Sequence, residues 1–143
     1  MNLSHSEDFS RSISAAMQVM QAHIDGINAQ DRDAIAATLH FPHYRLTDGK
    51  LKVWESSDRY LSDFHTRAGG DWSYSAWGHL KVVHAGNDKV HLDVLVERYT
   101  ADGTLLIAFP SLWVIALIGD VWAAQLRSSF APDDRIISLG RGE

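Results

Sequence analysis

A chain of 143 residues with a 45% hydrophobic share and five tryptophans can bury a full core within one domain, read here as 1–143 with its core at 8–131. Eighteen acidic against 13 scattered basic residues give a net charge of −5, which argues against nucleic acid or an anionic membrane as the main partner. With no cysteine, disulfides, thiol catalysis and thiolate metal sites are excluded, and the opening MNLSHSEDFSRS has no signal-peptide pattern, so a cytoplasmic protein is expected.

Residues 1 to about 7 are polar and read as loose. From Asp8 to Asn28, Phe9, Ile13, Met17, Met20, Ile24 and Ile27 recur at helical spacing, with Ala16 filling in, so one stripe of a long amphipathic helix is buried. Asn28 to Gln30 breaks it. Asp31 caps a short second helix that carries Ile35 and Leu39 inward and stops near His40, because the residue before Pro42 is pushed out of the α region. His43 to Thr47 and Leu51 to Trp54 form a hairpin around Asp48-Gly49. Ser56 or Ser57 then caps a third helix with Tyr60, Leu61, Phe64 and Ala68 inward, ended by Gly69-Gly70.

After Asp71 the chain alternates as strands: Trp72 to His84, Lys89 to Thr100, Thr104 to Ile118 and Val121 to Phe130. Short connections make them an antiparallel meander. The run Leu105 to Ile118 is apolar on both parities, as a central strand covered on both faces would be. The tail, 132–143, is polar apart from Ile136, Ile137 and Leu139.

Turns set the register. A two-residue Asp102-Gly103 loop places Val94 opposite Ser111, a Gly119-Asp120 loop places Ser111 opposite Ser128, and a Gly86-Asn87-Asp88 loop sets His84 opposite Val90. The face towards the helices then carries Tyr74, Ala76, Gly78, Leu80, Val94, Val96, Arg98, Phe109, Ser111, Trp113, Ala124, Leu126 and Ser128. The outer face carries Trp77, His79, Lys81, His91, Asp93, Glu97, Gln125 and Arg127 around the strip Leu106, Ala108, Pro110, Leu112, Val114, Ala116. Such a polar-rimmed apolar strip suggests a homodimer through Leu106, Ala108, Leu112 and Val114.

The segment from Glu97-Arg98-Tyr99-Thr100-Ala101-Asp102-Gly103 through Ser111-Leu112-Trp113-Val114 to Trp122-Ala123-Ala124-Gln125-Leu126-Arg127-Ser128-Ser129 resembles the "RY-x-x-DG … W-x-x-Q-x-R-S-S" ending of many bacterial nuclear transport factor 2-like proteins. Leu39-His40-Phe41-Pro42-His43 is similar too. That superfamily includes SnoaL-like cyclases and ketosteroid isomerase. The resemblance spans residues 9 to 131. It implies an α+β fold of the cystatin-like kind, with three N-terminal helices on the concave face of a strongly curved, mainly antiparallel sheet forming a cone-shaped barrel. It also implies a pocket between helices and sheet, and frequent dimers. A fold of this kind hosts catalysts and binders alike. The isomerase pattern lacks its parts here: the first helix has no Tyr, and the inferred pocket face has no Asp or Glu. The Arg between two carboxylates of an epoxide hydrolase is also missing. A dehydratase pattern is open, since His43, His23 and Tyr74 are present.

His43, at a strand start, is the candidate general base, against a bland reading as a half-buried strand histidine. His91 and Asp93 share a strand face, but Asp93 is expected to pair with Lys81, so no metal site is expected. Ser111 and Ser128 are expected either to satisfy each other or to meet a ligand. Arg98 could clamp an anion or snorkel. Tyr74 and Trp113 would wall the pocket. Together these features point to a small hydrophobic molecule bound by Tyr74, Arg98, Ser111, Trp113 and Ser128. Any chemistry would be cofactor-free isomerisation, dehydration or cyclisation with His43 as base. The rival is a non-catalytic binding or dimerisation module with a side-chain-filled cavity.

Overall fold

The computed structural model describes residues 3–62, 70–131 and 134–137, with side chains from residue 9 onwards. Helix α1 (Leu3–Ala29) begins five residues before the expected Asp8 start. It closes with Gln30 in the left-handed region (φ 52°) and the amide of Asp31 donating to the carbonyl of Gly26 at 2.9 Å, a Schellman-type stop. Asp31 then caps α2 (Arg32–Ala36), its carboxylate accepting from the amide of Ala34. That helix stops four residues before His40. Leu39 therefore belongs to the next strand and not to the helix.

Six strands follow the order β2-β1-β6-β5-β4-β3, comprising β1 (Leu39–Thr47), β2 (Lys50–Trp54), β3 (Tyr74–Ala85), β4 (Lys89–Tyr99), β5 (Leu105–Ile118) and β6 (Val121–Ser129). Only β1 against β6 is parallel, so the meander from β3 to β6 is antiparallel as expected. Between β2 and β3 lies α3 (Ser57–Ser62), with Tyr60 and Leu61 buried; Phe64, Ala68 and Gly69 lie outside the described residues. Helix α1 crosses the concave face, α2 packs on α1, and α3 packs against β2. Ala16, Met20 and Val19 of α1 meet Val90, Leu92, Val94, Trp113 and Ile115 in the core. No described helix is long and apolar enough to cross a membrane. In the tail Ile136 and Ile137 are exposed, and Leu139 lies outside the described residues.

Two tight turns form as the dipeptides dictate. Asp48-Gly49 and Gly119-Asp120 each hold two consecutive positive-φ residues, the type I′ geometry that matches strand twist. The other two loops differ by one residue from expectation. Thr100 and Thr104 enclose a three-residue loop with Gly103 at φ +89°, and a bulge at Leu106 restores Val94 opposite Ser111. The β3–β4 turn is a two-residue Asn87-Asp88 loop, and a bulge at Val83 restores Val82 opposite Leu92.

Two further bulges are not compensated, and they overturn part of the predicted facing. An extra residue at Gly78 puts Trp77 opposite Val96 and Ser75 opposite Arg98, so Trp77 and Ser75 turn inward and Tyr74 turns outward. An extra residue at Gln125 puts Arg127 opposite Trp113 and Ser129 opposite Ser111, so Arg127 and Ser129 turn inward while Leu126 and Ser128 turn outward. Each bulge flips every side chain beyond it and bends its strand.

Candidate functional site

A cavity of about 290 Å³ opens between α1 and the concave face of the sheet, at the small end of the roughly 300–1000 Å³ usual for ligand pockets. Helix α1 contributes His23, Ile24 and Ile27; β1 contributes Arg45 and Thr47; α3 contributes Tyr60. Trp72, Ser75 and Trp77 come from β3 and the segment before it, Val96 and Arg98 from β4, Phe109, Ser111 and Trp113 from β5, and Arg127 to Ala131 in part from β6 and its end. The lining is mostly aromatic and aliphatic, and it holds three arginines and no carboxylate among the described residues.

Side-chain hydrogen bonds lock α1 onto this wall. The amide of Asn28 clamps the backbone of Ser75, donating to its carbonyl at 2.9 Å and accepting from its N–H at 2.8 Å. The indole of Trp77 donates to the carbonyl of Met20 at 2.9 Å, and that of Trp72 to the Ser75 hydroxyl at 2.8 Å. Buried donors are thus spent on the helix–sheet seam, which holds the cavity walls at a set spacing.

Among the described residues Arg127 is the most deeply buried of the Asp, Glu, Lys and Arg side chains, only 9% exposed. Its Nη1 donates to the Tyr60 hydroxyl at 3.1 Å, and its guanidinium lies 4.9 Å from the Trp113 ring centre, 5.5 Å from Tyr60 and 5.9 Å from Trp54. These rings offset part of the desolvation of the charge, but ring faces take none of its in-plane N–H donors. Among the described residues no carboxylate pairs with it. Arg45 is its direct partner across the parallel β1–β6 ladder and lines the same cavity. Arg98 lines the cavity with its guanidinium 5.3 Å from the Phe109 ring centre.

His23 is 1% exposed, with its ring 5.1 Å from Trp113 and 6.3 Å from Trp77. Its Nδ1 lies 2.7 Å from the Thr38 hydroxyl, which donates its single proton to the carbonyl of Ile35 at 2.7 Å. The hydroxyl must therefore accept from His23, so Nδ1 carries a ring proton.

Of the residues singled out from the sequence, Arg98, Ser111 and Trp113 meet at the cavity and three do not. His43 is fully buried and outside the lining; its Nδ1–H donates to the carbonyl of Ala124 at 3.1 Å, and Phe41, Trp54 and Tyr60 pack around its ring. Tyr74 stands outside, stacked on Tyr99 at 5.0 Å, because of the Gly78 bulge. Ser128 faces outward because of the Gln125 bulge, and Ser111 instead shares a 2.7 Å hydroxyl contact with Ser129.

The residues that sequence reasoning did not bring to the site are Arg127, Ser129, Trp77 and Arg45. Gly78, a glycine inside a strand, was a local signal for a bulge. A Cβ there would stand 2.7 Å from both Leu95 and Glu97 side-chain atoms. Gln125 carried no such signal, since Trp122, Ala124 and Leu126 alternate as an unbroken strand would.

On the outer face, Asp93 is the cross-strand register partner of Lys81, and its carboxylate meets His79 Nε2 at 3.3 Å. His84 and His91 face each other, ring centres 5.5 Å apart. Burial, and then the charges of Lys89 and His84, hold His91 below its ordinary pKa of 6.5.

No protein-family model and no curated protein matches the sequence. Solved structures do match in shape. An NTF2-like protein with a cystatin-like fold from Novosphingobium aromaticivorans superposes with a TM-score of 0.73 at 14% identity, covering 94% of this chain and 90% of that one. A protein of unknown function with a cystatin-like fold from Nostoc punctiforme gives a TM-score of 0.67 at 10% identity, over 83% and 90% of the two chains. A ketosteroid isomerase-like protein from Erwinia carotovora atroseptica gives 0.62 at 17% identity, over 85% and 97%. At these identities the shared property is the fold: an α+β, cystatin-like fold.

Proposed function

We propose that this cone-fold chain is a small-molecule-binding protein that takes a compact, flat, largely apolar molecule into the cavity between α1 and the sheet. The carrying observation is the cavity itself, about 290 Å³ of space walled by Trp77, Trp113, Phe109 and Phe130 with hydroxyls and guanidiniums interspersed. A side-chain-filled interior would leave no such space. Occurrence of the same fold in a ketosteroid isomerase-like protein supports a cavity reading without extending to that reaction. Titration with the neutral dye Nile red tests it. Saturable binding is expected, reduced about tenfold or more by Ser111→Leu, which extends two carbons into the space. Binding unchanged by that variant would place the dye elsewhere and count against the cavity.

A second reading, cofactor-free proton transfer, is favoured by His23. It lines the cavity with its tautomer held by Thr38, a better position for a base than that of His43. Once a turned-over substrate is identified, His23→Gln should lower kcat by about 100-fold or more, whereas His43→Ala should act through stability. Retained kcat in His23→Gln would remove this reading.

For the outer face we infer self-association. Leu106, Leu112 and Leu126 are 37%, 42% and 39% exposed there, beside exposed Ala108 and half-buried Val114. A contiguous apolar strip of this kind is what a subunit contact covers.

A further inference from the structure

We propose that the occupant of the cavity is an organic carboxylate, its carboxyl group seated against Arg127 and its flat body lying along the aromatic wall. This deepens the ligand-binding reading and rests on it.

Charge is the first argument. The chain as a whole is net negative at −5, yet the cavity lining contains Arg45, Arg98 and Arg127 and no described Asp or Glu. A low-dielectric hollow lined by one sign of charge concentrates the opposite sign inside it.

The second argument is the state of Arg127. A buried guanidinium needs a partner. Its hydrogen bonding among the described residues is a single donation to the Tyr60 hydroxyl, out of five N–H groups. Directly across the ladder sits Arg45, which lines the same cavity. An anion at this end of the cavity would take the guanidinium donors that the Tyr60 hydroxyl leaves.

Shape selects the carboxylate. Two coplanar oxygens match one edge of a guanidinium bidentately, and they ask for few further donors. The neighbouring wall is ring surface from Trp113, Tyr60 and Trp54, which cannot supply the many additional bonds that a tetrahedral dianion demands. The same rings suit a flat apolar body attached to the carboxyl.

The experiment compares 2-naphthoate, the neutral isostere 2-naphthamide and 2-naphthyl phosphate on the full chain by calorimetry. Binding of naphthoate at least about tenfold tighter than naphthamide is expected. That preference should vanish in Arg127→Met and shrink in Arg127→Lys, which keeps the charge without the fork. Naphthamide binding as tightly as naphthoate would overturn the proposal and leave the cavity as a ligand site. Naphthyl phosphate outranking naphthoate would overturn the carboxylate in favour of a phosphate. If none of the three binds at millimolar concentration, the ligand-site reading falls together with the proposal. Circular dichroism follows each variant. If Arg127→Met does not fold, Arg127→Lys decides, and unchanged naphthoate affinity in that variant overturns the assignment.

Discussion

His43 and Arg127 exchange the positions that their types suggest from sequence. A histidine at a strand start looks catalytic, yet this one is enclosed by Phe41, Trp54 and Tyr60 and bonded to the carbonyl of Ala124. Truncating it leaves a hole in a packed aromatic cluster, so His43→Ala should cost about 2–4 kcal/mol of stability, measured by urea denaturation. On the outer face, His91 predicts a pH dependence. Its folded pKa lies below the ordinary 6.5, so as pH falls through that value the unfolded chain takes up a proton that the folded chain resists. Stability contributed by the neutral ring is therefore present above about pH 6.5 and lost on acidification towards the lowered folded value. Thermal melts at pH 7.5 and 5.5 should show a smaller acid-induced loss in His91→Gln than in the parent. Equal losses would mean that His91 is not responsible for the acid sensitivity.

Among the elements, the seam between α1 and β3 sets the cavity. Asn28 spends its whole amide group on the backbone of Ser75, so Asn28→Ala should lose about 1–3 kcal/mol and loosen the helix, seen as faster hydrogen exchange at the start of β3. Gly78 holds the bulge that turns Trp77 inward. Because a Cβ there would stand 2.7 Å from Leu95 and Glu97 side-chain atoms, Gly78→Val should destabilise by about 1–3 kcal/mol. An unchanged denaturation midpoint would show that those two side chains swing aside freely.

For the whole molecule, the bulges that curve the sheet also set its outer face. Four bulges in β3, β5 and β6 bend the sheet, making one face concave enough to enclose a cavity and leaving the outer face with its leucine strip. If that strip is covered by a second copy, the parent chain should sediment as a dimer at micromolar concentration and Leu112→Asp as a monomer of unchanged circular dichroism. A monomeric parent would leave the strip without that role.

Element types, their order, the two I′ turns and the inward aim of Val94, Ser111 and Trp113 were legible in the residues alone. Each follows from hydrophobic period and local turn chemistry, which act over a few positions. The facing of Ser75, Trp77, Arg127 and Ser129 was not legible, because strand parity is a running count that a single unpaired residue resets. Alternation would have put Leu126 inside and Arg127 outside; the fold does the reverse. Where a bulge forms depends on how strands far apart in the chain must bend around α1, and on a buried charge whose cost is borne by the rest of the core. Those are properties of the assembled cone, so the guanidinium in its cavity came into view only with the tertiary structure.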